Sequence, residues 1–332
     1  MGASPASDGR PIALRIELGR EATGSAVESA AAAGEEGGAM AIRNFDAETL
    51  TAEVLRSVEG AENPRAKEVL TSLIRHLHGF VAEIRPTPAE WMAGIKLLIE
   101  TGRWCDDKRN EFILMSDTLG VSMLVDFLNY GNAEGCTEST VLGPFFVEGA
   151  PELPLGASIA RPGTSGEPCV VTGSVCDSAG RPIPGAALDV WATDGDGFYD
   201  VQKQQDGMNL RGRFRADADG KFWLKCVLPT SYPVPTDGPA GRLLDAAGRH
   251  PMRPAHLHTM LSAPGFDTLV THLFVRGDPY LDSDAVFGVK ESLIVDFVTM
   301  QSPEEAARFG VEAPFWRAHY DFVLKPAAAS AP

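Results

Sequence analysis

The spacing of apolar residues along the chain changes once. Between residue 44 and about residue 130 they recur every three to four positions. In NPRAKEVLTSLIRHLHGFVAEI, positions 69, 70, 73, 74, 77, 80 and 81 form one helical stripe. Asn44 or Asp46 is placed to cap a preceding helix through LTAEVLRSV. Thr87 before Pro88 gives AEWMAGIKLLIETGRWC an N-cap with proline in its first turn. EFILMSDTLGVSMLVDFLNY reads as a fourth, strongly apolar helix. TESTVLGPFFVEGAPELPLGASIARPGTSGEP, dense in Pro and Gly, reads as loop. From Cys169 the period shortens. CVVTGSVCD, AALDVWAT, GRFRAD, KFWLKCVL, AHLHTMLSA, TLVTHLFV and ESLIVDFV are short β-like runs, divided by turn signals such as SAGRPIPG and DADG. No βαβ alternation is present, so the pattern predicts a β-sandwich.

The expected architecture is therefore α+β. A helical N-terminal domain at 44–135 leads through a linker and pocket-lining loop at 136–167 to a β-sandwich catalytic domain at 168–325. Residues 1–43 contain ESAAAAGEEGGAM, with too little bulky apolar content to fold alone, and are expected to be a disordered tail, of which residues 1–39 are dispensable. Residues 326–332 are expected to be a flexible end.

Composition narrows the classes of partner. At 44% apolar and 22% charged residues, the 332-residue chain has a globular make-up. Its net charge of −16 argues against nucleic acid or an anionic membrane as partner. No apolar run approaches a membrane span, and the N-terminus lacks a secretory pattern, so the expected location is the cytoplasm without membrane insertion. The five scattered cysteines form neither a disulfide framework nor a CxxC metal motif.

Candidate chemistry begins at RPAHLHTML, residues 253–261. In a strand, His256, His258 and Met260 share one face, and two imidazoles on one face can chelate one ion. His76 and His78 have the same spacing in a helical pattern, where they lie about 200° apart and cannot share a ligand. Alone, His256 and His258 read equally well as half-buried strand histidines. Two tyrosines supply partners. Tyr199 lies in DVWATDGDGFYDVQ, just past a strand, and Tyr232 in CVLPTSYPVPTDGP, boxed by prolines. Each taken alone is an ordinary packed aromatic. Together, two phenolates and two neutral imidazoles suit Fe(3+) and poorly suit zinc or magnesium.

Three segments, RPIPGAALDVWATDGDGFYD, LPTSYPVPTDGP and RPAHLH, follow in an order and spacing that resemble the intradiol ring-cleavage dioxygenases. TESTVLGPFF and ILMSDTLG extend the likeness, which covers roughly residues 44–325. GDGFYDVQ, SDTLGVSMLVD and THLFVRGDPYLDSDAVFGVK most resemble the hydroxyquinol 1,2-dioxygenases within that family.

The resemblance implies iron(III) ligands Tyr199, Tyr232, His256 and His258, with Tyr232 and Arg253 acting in catalysis. It implies a pocket wall of Leu114, Asp117, Val141, Gly143, Pro144, Phe145, Val234, Pro235, His272 and Val286. His272 stands where the catechol enzymes of the family carry a glutamine. The implied reaction is cleavage of hydroxyquinol by dioxygen to 3-hydroxy-cis,cis-muconate and its keto form maleylacetate. Catechol or chlorocatechol cleavage is the alternative, and a non-enzymatic transthyretin-like binding module the remote one. The resemblance also implies a homodimer paired through the helical part, with an apolar channel able to hold a phospholipid.

Overall fold

A computed structural model describes residues 44–106, 108–131, 134–203 and 205–327. The expectations for the tail at 1–43, and for residues 328–332, lie outside the described residues. Two compact units are present, one ending at Arg85 and the other beginning at Pro86.

The first unit contains helices α1 (Ala47–Ser57) and α2 (Pro64–Ile84), packed on each other. The Asp46 carboxylate accepts from the Thr49 N–H at 2.8 Å, and Asn63 caps α2 by accepting from the N–H groups of Arg65 and Ala66. The His76 ring donates to the Ser72 carbonyl at 2.8 Å, while His78 reaches Thr51 at 2.9 Å. The two rings serve different faces, as helix geometry requires. No α2 residue is buried, and Leu73, Leu77 and Phe80 are half exposed.

The second unit opens with α3 (Pro88–Arg103), started by a Thr87–Glu90 capping box. The expected fourth helix is two helices, α4 (Glu111–Thr118) and α5 (Val121–Tyr130), divided at Leu119–Gly120. The compact units divide at Arg85, and α3, α4 and α5 belong to the second. There α4 packs against α6 (Pro239–Ala246), a helix inserted in the β region. Leu114, Met115 and Met123 share a buried cluster with Val234, Ala240, Leu244 and Val286. Gly238 offers α6 no side-chain cap, and the fully buried Glu111 accepts from the Ala240 N–H at 2.9 Å instead.

The strands are β1 (Pro168–Asp177), β2 (Ala187–Trp191), β3 (Arg211–Arg215), β4 (Lys221–Val227), β5 (Tyr232–Pro233), β6 (Met252–Arg253), β7 (His256–Ser262), β8 (Leu269–Val275), β9 (Ile294–Val295), β10 (Val298–Met300), β11 (Phe315–His319) and β12 (Phe322–Leu324). One five-stranded sheet runs β10-β11-β1-β12, with β4 also on β1; the other runs β3-β2-β7-β8-β9. ESLIVDFV, expected as one strand, becomes a 3-10 turn followed by β9 and β10. The pattern gave no notice of α6, of β11 and β12, or of α7 (Pro303–Phe309).

Alternation divides the work of each strand. Leu188 and Val190 of β2, Leu257 and Leu261 of β7, and Leu269 and Leu273 of β8 join Val171, Val175, Phe222 and Leu224 in the main core. Each fully buried Leu or Phe contributes roughly 1.5–3 kcal/mol. The alternate positions, among them Trp191, His256, His258 and His272, lie on the opposite face of the second sheet.

Candidate active site

The site grows from strand register. His258 of β7 pairs with Trp191 of β2 on one side and with His272 of β8 on the other. The Trp191 indole stacks on His258, with centroids 4.6 Å apart and planes 14° apart, and so fixes the plane of the imidazole. Tyr232 is the register partner of Arg253 across the two-stranded β5–β6 ribbon. Tyr199 comes from the Gly/Asp-rich loop after β2. There the Asp194 carboxylate accepts from the Asp196 and Phe198 N–H groups, and Asp200 accepts from the Arg211 guanidinium in a buried ion pair. Gly197 (φ +85°) lets this loop pass close to Tyr232; a Cβ there would sit 3.0 Å from that residue's Cβ.

Four donor atoms converge. The Tyr199 hydroxyl lies 3.2 Å from that of Tyr232 and 2.9 Å from His258 Nε2, which is 3.1 Å from His256 Nε2. All four residues are at most 3% exposed. Ligands about 2 Å from a metal and roughly 90–110° apart stand about 3 Å from one another, so the set fits one metal ion. His256 Nδ1 lies 2.6 Å from the Pro254 carbonyl, which can only accept. Nδ1 therefore carries the proton and leaves an Nε2 lone pair facing the centre. Spacing alone would also admit a three-histidine site of His256, His258 and His272. However, His272 Nε2 faces His258 Nδ1 at 2.7 Å, on the far side of that ring from the two phenols.

Burial shapes the electrostatics. It lowers His256 to about 3, helped by Arg253, and holds His258 and His272 well below the ordinary imidazole value. These rings are neutral, as ligands must be. Burial, with Tyr232 alongside, pushes the Tyr199 phenol well up; burial also raises Tyr232, with Arg253 pulling it back down. A bound trivalent cation reverses that direction by favouring phenolate.

Arg253 is 2% exposed, with Nη1 3.2 Å from His256 Nε2. Burial opposes its charge, but Asp284 outweighs that, and the guanidinium stays protonated. Asp284 accepts from Arg253 Nε at 3.0 Å and Nη2 at 3.2 Å, and from the Gly288 N–H at 2.9 Å. Asp284, Trp191 and Thr140 were missed in the sequence. Trp191 was within reach, since it lies in the strand just before the Tyr199 loop.

The predicted wall residues fall into two buried groups. Leu114, Val141, Val234 and Val286 are together in the cluster beside α6, and Phe145 stacks on Tyr199 at 4.6 Å. Pro144 and Pro235 are partly buried. Gly143 (φ +77°) leaves room for His258: a Cβ would lie 3.3 Å from its Cε1. Asp117 is 2% exposed, so its carboxyl does not face solvent; burial raises it to about 6, with Ser122 and Arg253 opposing. His272 has both ring nitrogens on protein partners, His258 and Thr140. Two of the larger clefts, about 690 Å³ each, lie elsewhere, lined in part by Tyr130 and Tyr320 and by Trp223 and Phe309.

Residues 141–326 match the family model described as Dioxygenase, and residues 63–137 the one described as Catechol dioxygenase N terminus. The chain belongs to the intradiol ring-cleavage dioxygenases. It is 49% identical to a 6-chlorohydroxyquinol 1,2-dioxygenase of Cupriavidus pinatubonensis, over 86% of this chain and 99% of that one. It is 50% identical to a hydroxyquinol 1,2-dioxygenase of a Rhizobium species, over 82% of this chain and 92% of the relative. Among solved structures, a hydroxyquinol 1,2-dioxygenase from Pseudomonas putida matches with TM-score 0.77 and 49% identity, covering 85% of this chain and 99% of that one. A catechol 1,2-dioxygenase from an Acinetobacter species matches with TM-score 0.76 at 29% identity, covering 87% and 97%.

Proposed function

We propose that this dioxygenase cleaves hydroxyquinol, benzene-1,2,4-triol, with dioxygen to 3-hydroxy-cis,cis-muconate and its keto form maleylacetate. The observation that carries the reading is the run of donor atoms Tyr232–Tyr199–His258–His256, each at most 3.2 Å from the next. Iron(III) held by these four residues would make a bound diolate electron-rich toward dioxygen. Tyr232, beside Arg253, would accept a substrate proton as the phenolate that a bound trivalent ion favours. Arg253 supplies fixed positive charge where negative charge develops on the ring; preorganised groups of this kind are worth roughly 3–4 kcal/mol. Leu114, Val141, Val234 and Val286 form the apolar wall, and Asp117 marks the triol as substrate. Beside a plain catechol ring the buried Asp117 carboxylate has Ser122 as hydrogen-bond partner, whereas a third ring hydroxyl would give it a further donor. Such a bond is worth roughly 1.5–3 kcal/mol, or about ten- to a hundredfold.

The helices support the dimer in the same reading. Within the first unit, the α2 stripe presents exposed apolar side chains that a second copy would cover. A phospholipid chain is an apolar guest such a surface could share. A cytoplasmic setting agrees with five unpaired cysteines and with the lack, among the described residues, of a helix able to cross a membrane.

The purified protein is expected to be reddish, from a tyrosinate-to-iron(III) band that shifts when hydroxyquinol is added. Tyr199→Phe should abolish the band and activity together. Asp117→Ala should lower kcat/KM for hydroxyquinol about ten- to a hundredfold and leave catechol unchanged or improved. A colourless, zinc-loaded protein would overturn the iron reading; equal losses on both substrates would make Asp117 structural.

A further inference from the structure

His256 and His258 face the centre with the same nitrogen but are held from behind in different ways. Behind His256 stands the Pro254 carbonyl, an obligate acceptor, so its proton can only be on Nδ1. Behind His258 stands His272, whose Nε2 is 2.7 Å from His258 Nδ1 and can either accept or donate. His272 Nδ1 in turn lies 2.6 Å from the Thr140 hydroxyl. All three residues are buried, at 3% exposure or less. The Thr140 N–H is tied to the Val270 carbonyl at 2.8 Å, so the hydroxyl is held by backbone next to β8.

We propose that Thr140 and His272 are positioning residues that set the tautomer of His258, and through it the affinity of the centre for iron(III). The proposal rests on the four-ligand reading above. For His258 Nε2 to present a lone pair, the ring proton must be on Nδ1 and donate to His272 Nε2. The His272 proton is then on Nδ1, where it needs an acceptor, and the Thr140 oxygen is that acceptor. The same hydroxyl can instead donate to His272 Nδ1. That reverses each bond in the chain and leaves a proton on His258 Nε2, between His256 and Tyr199. The native trio thus supports both arrangements, and metal binding selects the first. Valine at position 140 would leave a buried Nδ1–H facing a methyl group. It therefore favours the second arrangement, which blocks the ligand atom. His272 acts here from behind His258 rather than by touching substrate.

The test is iron(III) titration of the full chain against nitrilotriacetate, followed through the visible tyrosinate band, with Tm measured alongside. Thr140→Val should weaken iron binding about ten- to a hundredfold, the range found when the partner behind a metal-bound histidine is removed. Thr140→Ser, which keeps the oxygen, should bind as the native chain does. His272→Gln, whose amide oxygen can accept from His258, should bind more tightly than His272→Leu, and this pair decides the matter if Thr140→Val fails to fold. Native affinity in Thr140→Val overturns the proposal. Equal weakening in the valine and serine variants, or a fall in Tm without a change in iron affinity, also overturns it by making position 140 a packing site. If the native chain takes up no iron(III), the four-ligand reading falls first and takes the proposal with it.

Discussion

Arg253 carries the charge of the centre, and Asp284 keeps it there. The pair is buried on both sides, and Asp284 also accepts from the Gly288 N–H, so one carboxylate holds both the guanidinium and the turn after Val286. Breaking a buried pair by removing one partner costs roughly 3–5 kcal/mol. Asp284→Asn should lower unfolding stability by that amount in urea melts and reduce kcat. A loss under about 1 kcal/mol would show that the asparagine is accommodated without an orphaned charge. Asp117 has the opposite sign. Burial raises its carboxyl to about 6, so the folded chain binds this proton more readily than the unfolded one. Its contribution to stability is fully present below the ordinary carboxylate range and is lost as pH rises through about 6. Asp117→Asn should therefore be more stable than the native chain at pH 8, by about 1–3 kcal/mol, and lose that advantage near pH 4; equal stability at pH 8 would show that the carboxyl is not desolvated. Sequence made His256 and His258 legible because a strand has a period of two. Asp284 was not legible, since YLDSDAVFGVK offers two carboxylates and the partner arginine lies 31 residues away.

Elements were read best where one surface governed their pattern. α2 was found from its apolar stripe, without its Asn63 cap, and α3 with its cap because stripe and Thr87 signal agree. α4 and α5 were read as one helix because both are apolar, and only Gly120 marks the break. β11 and β12 were missed because FWRAH and FVL are short and pair with a strand far away in sequence. α6 was missed because a buried glutamate from α4, rather than its own sequence, caps it. The exposed stripe of α2 makes a prediction of its own. Leu73→Glu with Leu77→Glu removes apolar side chains that are about half exposed among the described residues. The double variant should keep its helicity and Tm but sediment as a monomer, and the native chain should sediment as a dimer. A native chain that is itself monomeric would assign the stripe another occupant.

At the scale of the whole molecule, the second unit is a sandwich whose core and chemistry lie on opposite faces of one sheet. That arrangement lets Leu257 and Leu261 stabilise the same strand on which His256 and His258 are displayed. The other sheet is closed by sequence-distant partners. β1 ends at Asp177, yet its parallel neighbours β11 and β12 lie between Phe315 and Leu324. During synthesis, at about 5–20 residues per second, β1 waits on the order of ten seconds with one edge unpaired. Val171 and Val175, buried in the finished sheet, are then on a strand open to any neighbouring nascent chain. The interval in which this enzyme is most exposed to aggregation is therefore set by the ribosome, and it closes only when the last strands emerge.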